Sequence, residues 1–188
     1  FNYATANPNY TDINSTFEYN CATPLPNGIG NISNNPKLVD SGHIASNSPC
    51  VNAGNINYTS GTDIDGDTWQ NTPAIGCDQP VASVVTGKLT VSVFAKYNII
   101  ITGASNYFYA NIYGHASQNR WSFDNGDTWQ NSLGGYYFWN VPGTYKVILT
   151  AFNNTYPAGV SATVVVDVVK KQIHYVDINN STPVSPYT

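Results

Sequence analysis

Charge is what this sequence most lacks. Lys, Arg, Asp and Glu together make up 10% of 188 residues, where an average soluble domain carries about 25%. Arg120 is the single Arg, Glu18 the single Glu, and Met is absent. Seven basic against eleven acidic side chains leave a formal charge of -4. That balance excludes the basic face which a reader of the phosphate backbone needs, so nucleic acid is not expected as a partner. Apolar runs are short. None approaches the roughly 18–20 residues of a membrane-spanning helix, and no basic-then-apolar secretion signal opens the chain. The start therefore reads as that of a mature or truncated chain.

Cysteine is scarce as well. Cys21, Cys50 and Cys77 stand 29 and 27 residues apart, with no Cys-x-x-Cys pair and no neighbouring His, which excludes the usual zinc spacings. At most one disulfide can form within the chain; the alternative is three small buried thiols. Catalytic signatures are missing too. There is no G-x-S-x-G, no H-E-x-x-H, no phosphate loop and no dinucleotide fingerprint. His43, His115 and His174 are isolated from one another along the chain. No enzyme is expected.

What is present is Asn (25 residues), aromatic side chains (13%) and many β-branched residues, punctuated by 15 Gly and 11 Pro. Strong helix formers are nearly absent from the polar positions, and the fold class predicted is all-β. Residues 1–80 show much turn chemistry and little alternation. Short patches such as Lys37-Leu38-Val39 and Ile75-Gly76-Cys77 read as strands of three or four residues. From residue 84 the texture changes to period two. Leu89, Val91 and Val93 share one face; so do Tyr145, Val147, Leu149 and Ala151; so do Ala162, Val164, Val166 and Val168. Asn106 to Tyr113 and Asn119 to Phe123 supply two more strands. Five or six such strands predict a β-sandwich of about 85 residues, with the boundary between Gln79 and Thr86. Trp121 and Phe123 alternate onto its core face. Pro142-Gly143 turns the chain into the strand bearing Tyr145, the place where a sandwich ties a loop with a corner tyrosine. After Lys170-Lys171 another short strand is expected from Ile173 to Ile178, so that the chain ends inside something unfinished.

Two resemblances sharpen this. Trp121-Ser122-Phe123-Asp124-Asn125-Gly126, followed by Val141-Pro142-Gly143-Thr144-Tyr145-Lys146-Val147-Ile148-Leu149-Thr150, resembles the WxFGDG and PGxYxVxLxV pair of PKD-like immunoglobulin-like domains, over about residues 86–168. The sequence departs from that family at Asp124-Asn125-Gly126, where Gly-Asp-Gly is usual. Residues 1–80 resemble the final coil and closing segment of bacterial right-handed parallel β-helix proteins of the pectate-lyase-like kind. The stretches that carry this are Asn20-Cys21-Ala22-Thr23-Pro24-Leu25-Pro26, Asn31 to Asp40, Ser48-Pro49-Cys50-Val51-Asn52-Ala53-Gly54, Thr62-Asp63-Ile64-Asp65-Gly66 and Ile75-Gly76-Cys77-Asp78. The resemblances imply three parts: an irregular β-helix end-cap at 1–80, a PKD-like sandwich at 84–169, and at 170–188 a linker and opening strand of a following β-helix or an intermolecular strand. The second also implies a Cys21–Cys50 bridge, with Cys77 free.

Three groups of residues are candidates for chemistry or contact. Asp63, Asp65 and Asp67 offer three carboxylates around Gly66, a partial Ca²⁺ site. The twelfth position of an EF-hand-like loop starting at Asp63 is Ala74, and the alternative is an Asp-rich turn held by side-chain to backbone bonds. The hexapeptide Gly-Asp-Thr-Trp-Gln-Asn occurs at 66–71 and again at 126–131, in segments of different texture, which fits a shared turn-then-strand preference better than duplication. Asp124 and Asp127 read as part of a hairpin turn rather than an acid/base pair. Tyr107, Tyr109 and Tyr113 alternate against Phe108, Ala110 and Ile112, so one of the two sets faces outward; Tyr136 and Tyr137 belong to a second aromatic cluster. Exposed rings stack on sugars or seat another protein surface, and the alternative is packing inside the sandwich.

The expected function is that of a non-enzymatic structural or adhesive module of a large secreted or cell-surface protein. Its strand edges would pair end to end with copies of itself or adjoining repeats, building a fibre or coat. The alternative is an ancillary carbohydrate-binding module of a β-helix polysaccharide-degrading enzyme, with polysaccharide as partner. No cofactor is expected apart from Ca²⁺.

Overall fold

Period-two alternation decides the larger part of the chain. The computed structural model describes the backbone of residues 2–3 and the whole of residues 16–81 and 84–172, and the structural statements below concern those residues. The strands are β1 (Asn2–Tyr3), β2 (Ala22–Thr23), β3 (Thr90–Ala95), β4 (Ile99–Ile101), β5 (Asn106–Tyr113), β6 (Gln118–Ser122), β7 (Thr128–Gln130), β8 (Gly134–Tyr137), β9 (Gly143–Phe152) and β10 (Val160–Val169). β3 to β10 form a sandwich. One sheet has the order β4-β10-β9-β6-β7, the other β3-β5-β8. All pairings are antiparallel except β4 with β10, where Ile100 lies opposite Val168.

The predicted inward sets are inward. Val147, Leu149, Ala151, Val166, Trp121, Phe123 and Phe108 are fully buried. An aromatic cluster fills the space between the sheets: Phe123 stacks on Tyr137 at 4.0 Å and meets Trp129 at 4.4 Å, and Trp139 stacks on Tyr145 at 4.8 Å. Their polar atoms are accommodated, as buried aromatic N–H and O–H groups require. Trp121 Nε1 donates to the Ser132 carbonyl at 2.8 Å, and Tyr145 Oη donates to the Val141 carbonyl at 2.9 Å, the loop tie expected of a corner tyrosine. Glycine is needed where β8 crosses close to its neighbours. A Cβ on Gly134 would stand 2.4 Å from the Phe108 carbonyl oxygen, and one on Gly135 would press on the Trp129 ring at 3.2 Å.

The N-terminal segment is tied to the sandwich by polar side chains that satisfy backbone groups. Val39 and Ala45 join the same hydrophobic core as the sandwich residues, so the core runs across the boundary read from texture. Beside Val39, the buried Asp40 accepts the N–H groups of Gly42 (2.9 Å) and His43 (3.0 Å) on one oxygen and that of Ala116 (2.8 Å) on the other. Asn119 reaches back from β6. Its Nδ2 donates to the Leu38 and Val39 carbonyls, both at 3.0 Å, and its Oδ1 accepts the Ser132 N–H at 3.1 Å.

The short strands predicted at 37–39 and 75–77 do not form, because their backbone groups pair singly with scattered turns rather than in a ladder: the Ala45 N–H donates to the Lys37 carbonyl, the Ile75 N–H to the Cys50 carbonyl and the Ile64 N–H to the Cys77 carbonyl. Leu38 makes a single antiparallel bridge with Ile44, and residues 75–77 are a bend. Parallel pairing is present in this segment: β1 with β2, and Cys21 with Ile32 by a single bridge. A short 3-10 turn, Ile56–Tyr58, is the one helical element among the described residues. The opening strand expected at 173–178, and so nearly all of the 170–188 segment, lies outside the described residues.

The repeated hexapeptide makes the same hairpin twice. Thr62 bridges Thr68 and the Asp63 N–H donates to the Asp67 carbonyl at 3.0 Å; sixty residues on, Ser122 pairs with Thr128 and the Phe123 N–H donates to the Asp127 carbonyl at 3.2 Å. Gly66 and Gly126 both hold positive φ, 89° and 94°. A turn preference that works alike in loop and sheet is local chemistry.

Asn119→Ala should cost about 2–4 kcal/mol, because it strands buried carbonyls and an N–H at the junction. Asn111→Ala, on the exposed side of β5, should stay within about 0.5 kcal/mol of the parent. Urea unfolding of the two variants checks this.

Candidate functional site

Strand register builds an aromatic row on the outer face of the three-stranded sheet. β5 places Phe108, Ala110 and Ile112 inward, which turns Tyr107, Tyr109 and Tyr113 outward. Across the ladder Phe94 of β3 lies opposite Tyr109, and Tyr136 of β8 lies opposite Tyr107. Directly opposed side chains touch. Phe94 stacks on Tyr109 with centroids 4.9 Å apart and planes 16° apart. Tyr109 is 6.5 Å from Tyr107 at 21°, and Tyr107 meets Tyr136 at 4.9 Å, tilted by 55°. Four rings thus run across three strands, with Phe94, Tyr109 and Tyr136 39–51% exposed.

Two predicted members fall elsewhere. Tyr113 sits at the far end of β5 opposite Thr90, 64% exposed. Tyr137 turns inward onto Phe123 and hydrogen-bonds Asn125 and Asp127 through its hydroxyl. Phe94 was missed, although it alternates with the inward Val93 and its outward direction could have been read.

Beside Tyr107 and Tyr136 opens a groove of about 630 Å³, closed on its other side by Thr23, Ser33 and Asn35 of the N-terminal segment, with Ser132 between. Its lining contains no Asp, Glu, Lys or Arg. Polar hydroxyl and amide groups face aromatic planes across an uncharged space.

A second constellation lies at the other side of the junction. Asp63 is largely spent on the backbone: one oxygen accepts the N–H groups of Asp65 (2.9 Å) and Asp67 (2.8 Å), the other that of Gln79 (2.9 Å). Burial works against its charge, but these bonds prevail and hold its carboxyl below the usual range. The carboxylates that converge are those of Asp63, Asp65 and Asp78, not the predicted trio with Asp67. Asp78, whose Oδ2 accepts the Ile44 N–H at 2.8 Å, is pushed up by burial.

The histidines that are isolated in sequence meet here. His43 and His115 stack face to face at 3.6 Å, 11° from parallel. His43 Nδ1 is 2.6 Å from Asp40 Oδ1, and its Nε2 is 3.3 Å from Asp65 Oδ2; His115 Nδ1 is 3.6 Å from the same oxygen. Burial opposes a charge on His43, but Asp40 first, then Asp65 and Asp78, outweigh it and raise the ring to about 9. No spacing in the sequence signals this meeting.

The three cysteines line a cavity of about 410 Å³ inside the N-terminal segment, together with Leu38, Ile44 and Ile75. None is bridged. Cys21 Sγ donates to the Asn34 carbonyl at 3.3 Å, and interaction between the Cys21 and Cys50 thiols raises Cys21 and lowers Cys50. Cys50 is buried and Cys77 exposed.

No protein-family model matches the chain, and no curated protein matches it. Among solved structures, the chain is similar to one of the carbohydrate-binding modules of the β-sandwich superfamily, at 22% identity and a TM-score of 0.37 over 48% of this chain. It spans 36% of that structure's length. It is also similar to the PKD domain of the human VPS10 domain-containing receptor SorCS2, at 17% identity and a TM-score of 0.37, covering 62% of this chain and 94% of that domain.

In the reduced native protein, iodoacetamide should label Cys77 first, and Cys50 only after unfolding. Peptide mass mapping over a labelling time course reads the order directly.

Proposed function

We propose that this chain is a non-catalytic binding module of a secreted or cell-surface protein, and that its ligand is a neutral polysaccharide. The observation that carries this reading is the Phe94–Tyr109–Tyr107–Tyr136 row standing outward beside an uncharged polar groove. A sugar ring has an apolar face of C–H groups and a rim of hydroxyls. The first packs on an aromatic plane, and the second needs neutral donors and acceptors. The Ser33 hydroxyl and the Asn35 amide supply them, while the Thr23 and Ser132 hydroxyls already bond the Ser33 carbonyl and the Gly134 backbone. An acidic glycan would want Arg or Lys in the groove, which this lining lacks. The calcium reading at Asp63, Asp65 and Asp67 has less support, since the carboxylate of Asp63 already accepts three backbone N–H groups.

Affinity electrophoresis through gels containing neutral or acidic polysaccharides tests the reading. Tyr107→Ala and Tyr109→Ala should each weaken retardation by a neutral glycan about tenfold, while Tyr58→Ala, on an exposed ring elsewhere, leaves it unchanged. Retention by the Tyr107→Ala/Tyr109→Ala double variant equal to that of the parent would overturn it.

A second reading, end-to-end continuation as the closing part of a parallel β-helix, is favoured by a specific observation. β1 and β2 pair in parallel across about twenty residues, and Cys21 and Ile32 bridge in parallel within the same segment. Sedimentation velocity over a concentration series should then show growth beyond the monomer. A single monomeric boundary at all concentrations would remove self-assembly from the account.

An extracellular setting also implies oxidation of the Cys21–Cys50 pair, whose side chains line one cavity. Non-reducing peptide mapping of the oxidised protein should recover those two peptides linked and Cys77 free. Closing that loop should raise stability by about 3–4 kcal/mol in the loop-entropy account.

A further inference from the structure

The stacked histidines do not belong to the sugar-binding face. Two imidazoles lie face to face at 3.6 Å, and one carboxylate oxygen of Asp65 stands 3.3 Å from His43 Nε2 and 3.6 Å from His115 Nδ1. The three ligand atoms lie within 4.8 Å of one another.

We propose that His43 Nε2, His115 Nδ1 and Asp65 Oδ2 form a binding site for a divalent transition metal of the zinc type, which clamps the N-terminal segment to the β-sandwich.

The distances carry this. Two metal–ligand bonds of about 2.0–2.1 Å at the tetrahedral angle leave their donor atoms about 3.3–3.4 Å apart. Asp65 Oδ2 stands at that separation from one imidazole nitrogen and slightly beyond it from the other. In the stack the two in-plane lone pairs run side by side, so the His115 ring must swing out of its position over His43 before its Nδ1 can share an ion with His43 Nε2. The His115 side chain, 30% exposed, has room to turn, while His43 is held.

What holds His43 is the arrangement usual behind a metal-bound histidine. Its Nδ1 is engaged by Asp40 Oδ1 at 2.6 Å, which fixes the ring and directs Nε2 toward Asp65. Asp40 is itself anchored by three backbone N–H groups, among them that of Ala116, next to His115. One carboxylate thus orients one ligand and fixes the chain that bears another. Two nitrogens and one oxygen suit a borderline ion; a hard ion such as Ca²⁺ would want oxygens throughout. Asp63 and Asp78 behind Asp65 add negative charge that favours any cation there. The same charge holds a proton on His43 when no metal is present, so metal and proton compete for one position. A cavity of about 430 Å³ bordered by Asp65 and His115 opens beside the trio, leaving room for a fourth ligand from solvent.

The test uses the full chain, free of affinity tags and stripped with chelator, in a Cys77→Ser/His174→Ala background that removes an exposed thiol and the remaining histidine. Zn²⁺ alone is titrated at neutral pH by calorimetry, Co²⁺ is added to read its visible absorption, and thermal midpoints are recorded with Zn²⁺, Ca²⁺ or neither. One equivalent of Zn²⁺ should bind. Co²⁺ should give the intense visible bands of a four-coordinate site, and Zn²⁺ at a hundredfold excess over Kd should raise the midpoint by about 5–7 °C. His115→Ala and Asp65→Asn, both on partly exposed side chains, should retain the fold and lose at least tenfold in affinity, with Ca²⁺ inert throughout. Absence of stoichiometric Zn²⁺ binding, equal binding by both variants, or an equal effect of Ca²⁺ would each overturn the proposal. In the first case the cluster is an ion-paired histidine stack and nothing more.

Discussion

The structure depends on one kind of interaction above the rest: buried Asp and Asn side chains that satisfy the backbone of a segment with almost no ladder of its own. A loop laid against a hydrophobic core exposes N–H and C=O groups that water can no longer reach, and each left unpaired is costly. Asp40 and Asn119 answer this at the junction, Asp63 and Asp78 within the N-terminal segment, and Asn153 just after β9, where its Nδ2 donates to the Gly87 and His115 carbonyls. The unusual composition has a physical use here. Short amide and carboxylate side chains reach neighbouring backbone groups in ways that Lys and Glu, being long and solvated, do not.

That seating creates both constellations of interest. The groove beside Tyr107 and Tyr136 exists because Thr23, Ser33 and Asn35 are brought against β5 and β8. The histidine stack exists because Asp40 binds the N–H of Ala116 and draws the loop after β5 down beside His43. The two lie on different sides of the same junction, so a ligand at either one is linked to the docking of the N-terminal segment. Low charge also has a bearing on specificity: the groove beside Tyr107 and Tyr136 is uncharged, while the carboxylates of Asp63, Asp65 and Asp78 converge beside the histidines.

Much of the sandwich was legible beforehand, for a physical reason. A strand with one buried face writes its direction into every second residue, and the inward sets of β3, β9 and β10 are those the alternation marks. Trp121, Phe123 and Tyr145 were legible for the same reason. β4 and β7 were not, being three residues long with too little alternation to register. The row of rings was half legible: alternation separates Tyr107 and Tyr109 from Phe108 and Ala110 but leaves open which set faces outward, and that Phe94 and Tyr136 complete the row depends on strand order and register. Tyr137 shows the limit, since its sequence neighbours do not say which way β8 turns.

The amino-acid sequence by itself determined the all-β class, the inward and outward faces of the long strands, and the hairpin that the repeated Gly-Asp-Thr-Trp-Gln-Asn makes in two places. These follow from interactions between residues a few positions apart. Tertiary structure alone decided that the N-terminal segment would lack the short strands its apolar patches suggest, that its core would merge with the sandwich through Val39 and Ala45, and that His43, Asp65 and His115 would meet. Those outcomes rest on isolated contacts and hydrogen bonds between groups many residues apart, which leave no periodic trace in the chain that makes them.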